Sequence, residues 1–470
     1  MTAYRLERRL PDACAITIFE AAPRLGGKIL TETFDSAGIH YEAGAAELYD
    51  YSPLGSDPLR ELIAELGLAT LPLAGGAVFL GDRLVRGESD VGEALGVASA
   101  EALRRFRQRA RSLIRPGEYY ESDWRSDNAD PLGGRSFQDL LNELGDPGAR
   151  RYVEVSTHSD LACEPDETNA AYGLQNYLMD EPDYLRLYTI AGGIGRLTEE
   201  LARDLGARIR LGCRVTAVEP ARPGSYRVTA RQGRDASAEE FDFVVVALPN
   251  HWLPAIQWGP AALAEAMAAH HRHYDHPAHY LRVSLLFDEP FWRTVITDSF
   301  FMLEAFGGCC VYDETSRVAG HRYGALGWLL AGDAALNYGN LDDAALIEAV
   351  LDSLPASLQA GRACYREGHV HRWLGAVNAL PAGFPAREPD SRHVPDPAGH
   401  PRLLVVGDYL FDSTINGVLD SADVAVEFIA EEIHPEAQPG SPGSSAALAS
   451  GLAALGLGEG PALPARAFAG

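Results

Sequence analysis

The sequence predicts an α/β chain with a doubly wound domain, and three observations predict it. Strand-like and helix-like stretches alternate along most of its 470 residues, the pattern of sheets covered by helices. The opening "MTAYRLERRLPDACAITIFE" gives helix, turn, strand and a closing acidic residue, which is the second half of a dinucleotide-binding βαβ unit. Two continuous apolar runs, "FDFVVVALP" and "RLLVVGD", have the length and the turn-bounded ends of buried strands.

Taken in order, Ala3, Leu6 and Leu10 share one side of a helix over 2–10. Pro11-Asp12 then turns the chain, and 16–19 alternates as a strand ending at Glu20. Helices are expected at 61–67, 101–113 and 137–144, with broken helical text to about 178. The polar stretch 121–134, "ESDWRSDNADPLGG", reads as a loop or exposed excursion. Gly192, Gly193 and Gly195 precede a helix over 197–205, followed by strands at 208–211 and 214–219. After a hairpin come the apolar run 243–248, expected fully buried, and a strand over 280–287. The body closes on a buried strand, a Gly-Asp turn, a polar loop and a last helix. From His434 the text is almost wholly Ala, Gly, Pro, Ser and Leu, a composition that buries little and predicts a disordered tail over 435–470.

A formal net charge of -26 with no long basic run argues against nucleic acid as a partner. The longest apolar stretches fall far short of the roughly 18–20 residues a membrane helix needs, and the first ten residues are too charged for a signal peptide. Six scattered cysteines without a C-x-x-C spacing predict reduced thiols and a cytoplasmic protein, not disulfides or zinc.

Glu20 ends its strand where such units hold the adenosine ribose. The following "EAAPRLGGKI" places Gly26 and Gly27 between Arg24 and Lys28, so backbone can approach an anion closely with cations on either side. The histidines of "HHRHYDHPAH" lack metal-ligand spacing with acidic partners. Cys309-Cys310 reads as a buried turn or strand pair. Tyr177, Tyr184, Tyr188 and Trp373 are either core aromatics or the lining of an apolar pocket.

Five motifs in order, "FEAAPRLGGKI", "GIHYEAGAAEL", "GGIGRL" with "RLGCRVTAVE" and "VVVALP", "FDEPFW", and "LLVVGDY" with "STINGVLDSADVAVEFI", resemble the flavin-dependent amine oxidase superfamily. That group includes protoporphyrinogen oxidases and carotenoid desaturases, and the resemblance covers residues 2 to about 434. It implies an FAD-binding, Rossmann-like domain from 1–80, 186–250 and 376–434, and an inserted α+β substrate domain from 81–185 and 251–375. It further implies that Glu20 holds the adenosine ribose, that Val215 offers backbone to the adenine, and that Arg24, Gly26, Gly27, Lys28, Gly407 and Asp408 lie by the pyrophosphate and ribityl chain. Gly44 and Ala45 would pass the isoalloxazine ring, and Thr414-Ile415 would present a helix N-terminus to its pyrimidine end.

The activity so implied is transfer of a hydride from a C–H of a small amine or apolar molecule to flavin N5. The alternatives are a desaturase or porphyrinogen-type oxidase acting on a larger apolar substrate, and a flavin-free, non-catalytic member of the family. Two departures bear on the choice. The position ten residues before Trp292, a lysine in many of these oxidases, is Arg282 here, the candidate catalytic residue, a fixed cation that does not shed its proton. The loop "DYLFDSTIN" lacks the aromatic of the monoamine oxidase cage, which weakens simple amine oxidation. The family's first strand and G-x-G-x-x-G turn would precede Met1, so the resemblance predicts a start about 15–25 residues late and a chain that binds flavin weakly.

Overall fold

A computed structural model describes residues 1–434 except 12, 120–131, 182, 318–319, 385–386, 388 and 412. Most of the loop expected at 121–134, and the tail expected over 435–470, lie outside the described residues.

The first helix, Thr2–Arg9, packs on the closing helix Ile415–Ile433. Leu6 and Leu10, one turn apart, meet Ala425, Val426 and Ile429 in one core cluster, and Arg5 pairs with Asp423 at 3.3 Å. The strand Thr17–Phe19 runs parallel to Arg208–Arg210, and Val244–Val246 runs parallel to Leu403–Val405. These are two separate two-stranded ladders, yet they share both covering layers. Ile16 and Leu404 join one cluster, while Phe19 and Val405 join the one on the opposite face. The expectation of a fully buried strand over 243–248 is corrected: only Val244–Val246 is extended, and Val244 and Val245 are half-buried. The strand has a single partner and lies at a sheet margin, where the covering layers thin out.

The largest sheet has seven strands in the order Tyr365–Asn378, Pro277–Phe287, Gly324–Ala331, Cys309–Asp313, Phe300–Leu303, Gly75–Leu80 and Arg83–Val85. Helices Val97–Leu113, Pro147–Leu161 and Ala170–Leu178 belong to the core on one of its faces, where Leu103, Val153 and Leu174 meet Val78 and Met302. The starts of the last two are fixed by side-chain caps: Asp146 accepts from the amide of Ala149 and Asn169 from that of Tyr172, both at 2.8 Å. A small sheet, Leu48–Asp50, Arg186–Ile190 and Thr70–Leu73, carries the chain from the ladders toward this body. No helix among the described residues is long and apolar enough to cross a membrane.

Candidate active site

The glycine segment after Thr17–Phe19 is held open by its own polar groups. Glu20 accepts the amide of Ala22 at 2.6 Å, and its carbonyl accepts the amide of Cys213 at 2.8 Å, which brings it to the strand carrying Val215. Beyond Ala217 and Val218 the edge of that strand is left by its parallel neighbour Gln257–Trp258, so Val215 has no strand on that side. Arg24 does not project freely: its guanidinium donates to the carbonyls of Leu25 and Ile29 at 3.1 Å and of Gly27 at 2.7 Å. Gly26 and Gly27 have φ of 104° and 54°. A Cβ on Gly26 would come 2.9 Å from the Ile29 carbonyl oxygen, whereas one on Gly27 would meet no described atom within 4 Å.

Lys28 donates to the carbonyl of Ala376 at 2.7 Å and is ion-paired with Asp408, which joins segments 380 residues apart. The amide of Ala45 donates to the Lys28 carbonyl at 3.1 Å, and a Cβ on Gly44 would lie 2.0 Å from that oxygen. Gly407 donates its amide to Ser421 at 3.0 Å. Thr414 caps Ile415–Ile433 by accepting from Gly417 at 3.0 Å, leaving the first amides of that helix beside the Gly-Asp turn.

Arg282 is fully buried, not in a surface ion pair. Its Nε donates to the Glu42 carbonyl, and Nη2 meets Glu314 at 2.6 Å. Arg317 pairs with Glu42 at 3.2 Å and with Glu314 at 3.5 Å, closing a set of two cations and two carboxylates. Glu42 also accepts from Thr31 Oγ1 at 2.7 Å and from the Ile194 amide at 2.8 Å. Burial pushes the Glu42 carboxyl up, against the pull of Arg317.

Past Ala45 the chain reaches a cluster of acids and tyrosines. Glu47, Tyr49 and Asp160 are half-buried and within electrostatic reach of one another. Tyr172 and Tyr280, also half-buried, reach Tyr49 as well, while Asp180 is exposed. Tyr312 donates to Glu47 at 3.1 Å. Tyr280 pairs with Trp373 on the neighbouring strand of the large sheet, and Trp373 donates its indole N–H to the Ala43 carbonyl at 2.6 Å. Arg317 donates to the Ala46 carbonyl at 2.9 Å. Tyr280, by its pairing with Trp373, thus stands near the Ala43–Ala46 stretch.

Desolvation dominates here. It raises the Glu47 carboxyl to about 7, opposed by the Tyr312 hydrogen bond and augmented by Asp180. Asp160 is held well above the usual carboxylate range by burial, then by Glu47 and Asp180.

Neither these acids nor these tyrosines are among the sequence candidates. Tyr177 packs edge-on against Phe106, Tyr184 donates to the Ile114 carbonyl at 2.7 Å, and Tyr188 lies buried under the Arg60 guanidinium; of the four aromatics singled out, Trp373 is the one bonded to the Ala43–Ala46 stretch. One signal was present: Asp160 falls seven and eleven residues after Val153 and Ala149, on the apolar face of its helix. The histidine group sits largely on the helix Ala261–His273, and the described residues contain no His/Cys/Asp/Glu group fit for a metal ion. Cys309 and Cys310 are a buried strand pair, and burial pushes both thiols up.

The sequence profile of flavin containing amine oxidoreductases matches residues 1–429. A putrescine oxidase bound to putrescine is 18% identical, with 91% of this chain and 96% of that one covered and a TM-score of 0.68. Cyclohexylamine oxidase from Brevibacterium oxydans IH-35A is 19% identical, with 92% and 96% covered and a TM-score of 0.69. A protein assigned as a protoporphyrinogen oxidase, from Exiguobacterium sp. 255-15, is 18% identical over 92% and 96%, with a TM-score of 0.63. At such identities the likeness is one of fold.

Proposed function

The chain belongs to the flavin containing amine oxidoreductases, and from that membership we propose that it oxidises a small amine at the C–H next to nitrogen, beside Tyr49, Tyr172 and Tyr280. Its cofactor is FAD, and the residues present fit that group. Gly27 leaves open space in a left-handed turn, Gly44 admits no side chain against the Lys28 carbonyl, and Lys28 offers a cation for phosphate oxygens. FAD, when bound, supplies the two-electron acceptor that no side chain provides.

On this reading Glu20 and Val215 hold the adenosine end, while Arg24, Gly26, Gly27, Lys28, Gly407 and Asp408 border the pyrophosphate and ribityl chain. Gly44, Ala45 and the Thr414-Ile415 helix start flank the ring. The large sheet and its helices then form the substrate domain. Arg282 is a positioning residue: it fixes the Glu42 carbonyl, and through it the stretch that the substrate faces.

What supports the amine reading, beside the family, is the grouping of acids with tyrosines: Glu47 and Asp160, both half-buried, stand within electrostatic reach of Tyr49, and carboxyls beside aromatic faces suit a cation. A wholly apolar substrate, as the alternatives require, gains nothing from such groups. The Glu47 carboxylate, held by the Tyr312 hydroxyl, is suited to take the proton from a bound ammonium at Oε, leaving the neutral amine that oxidation needs.

Anaerobic mixing of the FAD-loaded protein with a panel of primary and secondary amines tests the reading. Bleaching of the flavin absorption, with stoichiometric peroxide on readmitting air, is the expected result. Bleaching by a porphyrinogen or a polyene but by no amine would overturn it, and a protein that folds yet takes up no FAD would favour the flavin-free alternative.

A further inference from the structure

Resting on the placement of FAD proposed above, we infer that His270 and His393 are positioning residues: from behind, through the hydroxyls of Tyr409 and Ser421, they set the Gly407-Asp408 turn that borders the cofactor. The turn and the residue after it are tethered one by one. Gly407 gives its amide to Ser421 Oγ at 3.0 Å, Asp408 pairs with Lys28, and a hydrogen bond of 3.1 Å joins the Tyr409 hydroxyl to His270 Nε2. Another, of 3.3 Å, joins Ser421 Oγ to His393 Nε2. Two imidazoles from remote segments, the helix Ala261–His273 and the short helix Pro389–His393, thus end on the same three residues.

Packing makes these tethers stiff. Tyr409 is buried, its ring edge-on to Tyr274 at 5.3 Å and to His270 at 5.9 Å. A Cβ on Gly407 would come 2.9 Å from that ring, so the ring lies directly on the Gly407 backbone, and a shift of one displaces the other. His393 lies tilted against Phe411 at 5.7 Å, and the Phe411 amide donates to the Asp408 carbonyl at 3.0 Å.

Both imidazoles are buried, and His270 is the fully enclosed member of the histidine group noted in the sequence. In both, Nδ1 has no hydrogen-bond partner among the described residues. A ring buried with one nitrogen bare is less stable than a phenylalanine of similar shape, so packing alone does not account for a histidine at either position. The bond at Nε2 does, and in both cases it goes to a hydroxyl that holds the turn. Enclosure also keeps the rings neutral: burial, then Arg392, lowers His393 to about 3, and burial, then Arg387, holds His270 well below its usual range. The charge at the turn therefore stays that of Lys28 and Asp408.

Titration of the flavin-free protein with FAD, followed by quenching of flavin fluorescence under conditions where urea unfolding shows each variant to be folded, tests the assignment. His270→Phe keeps a ring and removes the bond, and is expected to weaken FAD binding about tenfold. Tyr409→Phe removes the same bond from its other end, so the double variant is expected to lose no more than either single one. His270→Gln, whose amide nitrogen can stand where Nε2 stands, is expected to bind within about threefold of the parent, and His393→Phe about tenfold more weakly. If a histidine variant fails to fold, Tyr409→Phe or Ser421→Ala carries its arm of the test. A histidine whose phenylalanine variant binds FAD as the parent does is not a positioning residue; if this holds for both, or if the His270 and Tyr409 losses add in full, the proposal is overturned and the placement of FAD stands. A folded parent that takes up no FAD overturns both.

Discussion

Glu47 keeps its proton to about pH 7, well above where an ordinary carboxyl has lost it, because the folded chain walls it in beside Asp180 and Asp160 while Tyr312, Arg317 and Arg282 only partly compensate. The folded state therefore binds more protons than the unfolded one between the usual carboxylate range and about pH 7, and stability is lost as pH rises through that window. Glu47→Gln is expected to stabilise the protein by about 1–2 kcal/mol at pH 8, after discounting for its access to solvent, and hardly at all at pH 4, while lowering amine turnover; urea unfolding at the two pH values checks it. Arg282 behaves differently. Lysine in its place cannot serve both the Glu42 carbonyl and Glu314, so Arg282→Lys is expected to cost about 3 kcal/mol, read from thermal or urea unfolding of the flavin-free protein. The sequence marked position 282 but not its surroundings, since Glu42 and Glu314 reach it from 240 and 32 residues away. Asp160 was legible only as an acid on an apolar helix face, and nothing local announces that Glu47 and Asp180 act on it.

Element by element, local rules carried far. The expected helices over 2–10 and 101–113 and the strand over 280–287 match Thr2–Arg9, Val97–Leu113 and Pro277–Phe287 with shifts of a few residues at their ends, because spacing and turn residues act within one element. The 243–248 run misled because a continuous apolar stretch reports composition, not how many strands flank it. The turn containing Gly44 has the sharpest steric demand: Gly44→Ala sets a methyl 2.0 Å from the Lys28 carbonyl oxygen, and backbone must move. We expect a loss of about 3 kcal/mol and of FAD retention during gel filtration, whereas Gly27→Ala, with open space but a left-handed φ, should cost about 1 kcal/mol. Retention of FAD by Gly44→Ala would mean that the ring does not pass this stretch.

At the scale of the molecule, the two parallel ladders share covering layers on both faces, and among the described residues no strand pairing joins them. The buried set of Glu42, Arg282, Glu314 and Arg317 has a consequence for synthesis. Glu42 leaves the ribosome long before either arginine exists, and at the usual pace of translation it waits on the order of tens of seconds for them. Until then a lone carboxylate cannot be buried without a large desolvation cost, so the Ala43–Ala46 stretch stays undocked. Asp408 and the Thr414 cap come later still. On the proposed placement of FAD, cofactor uptake is thereby deferred until nearly the whole chain has emerged, and a nascent chain halted before residue 317 should carry no flavin.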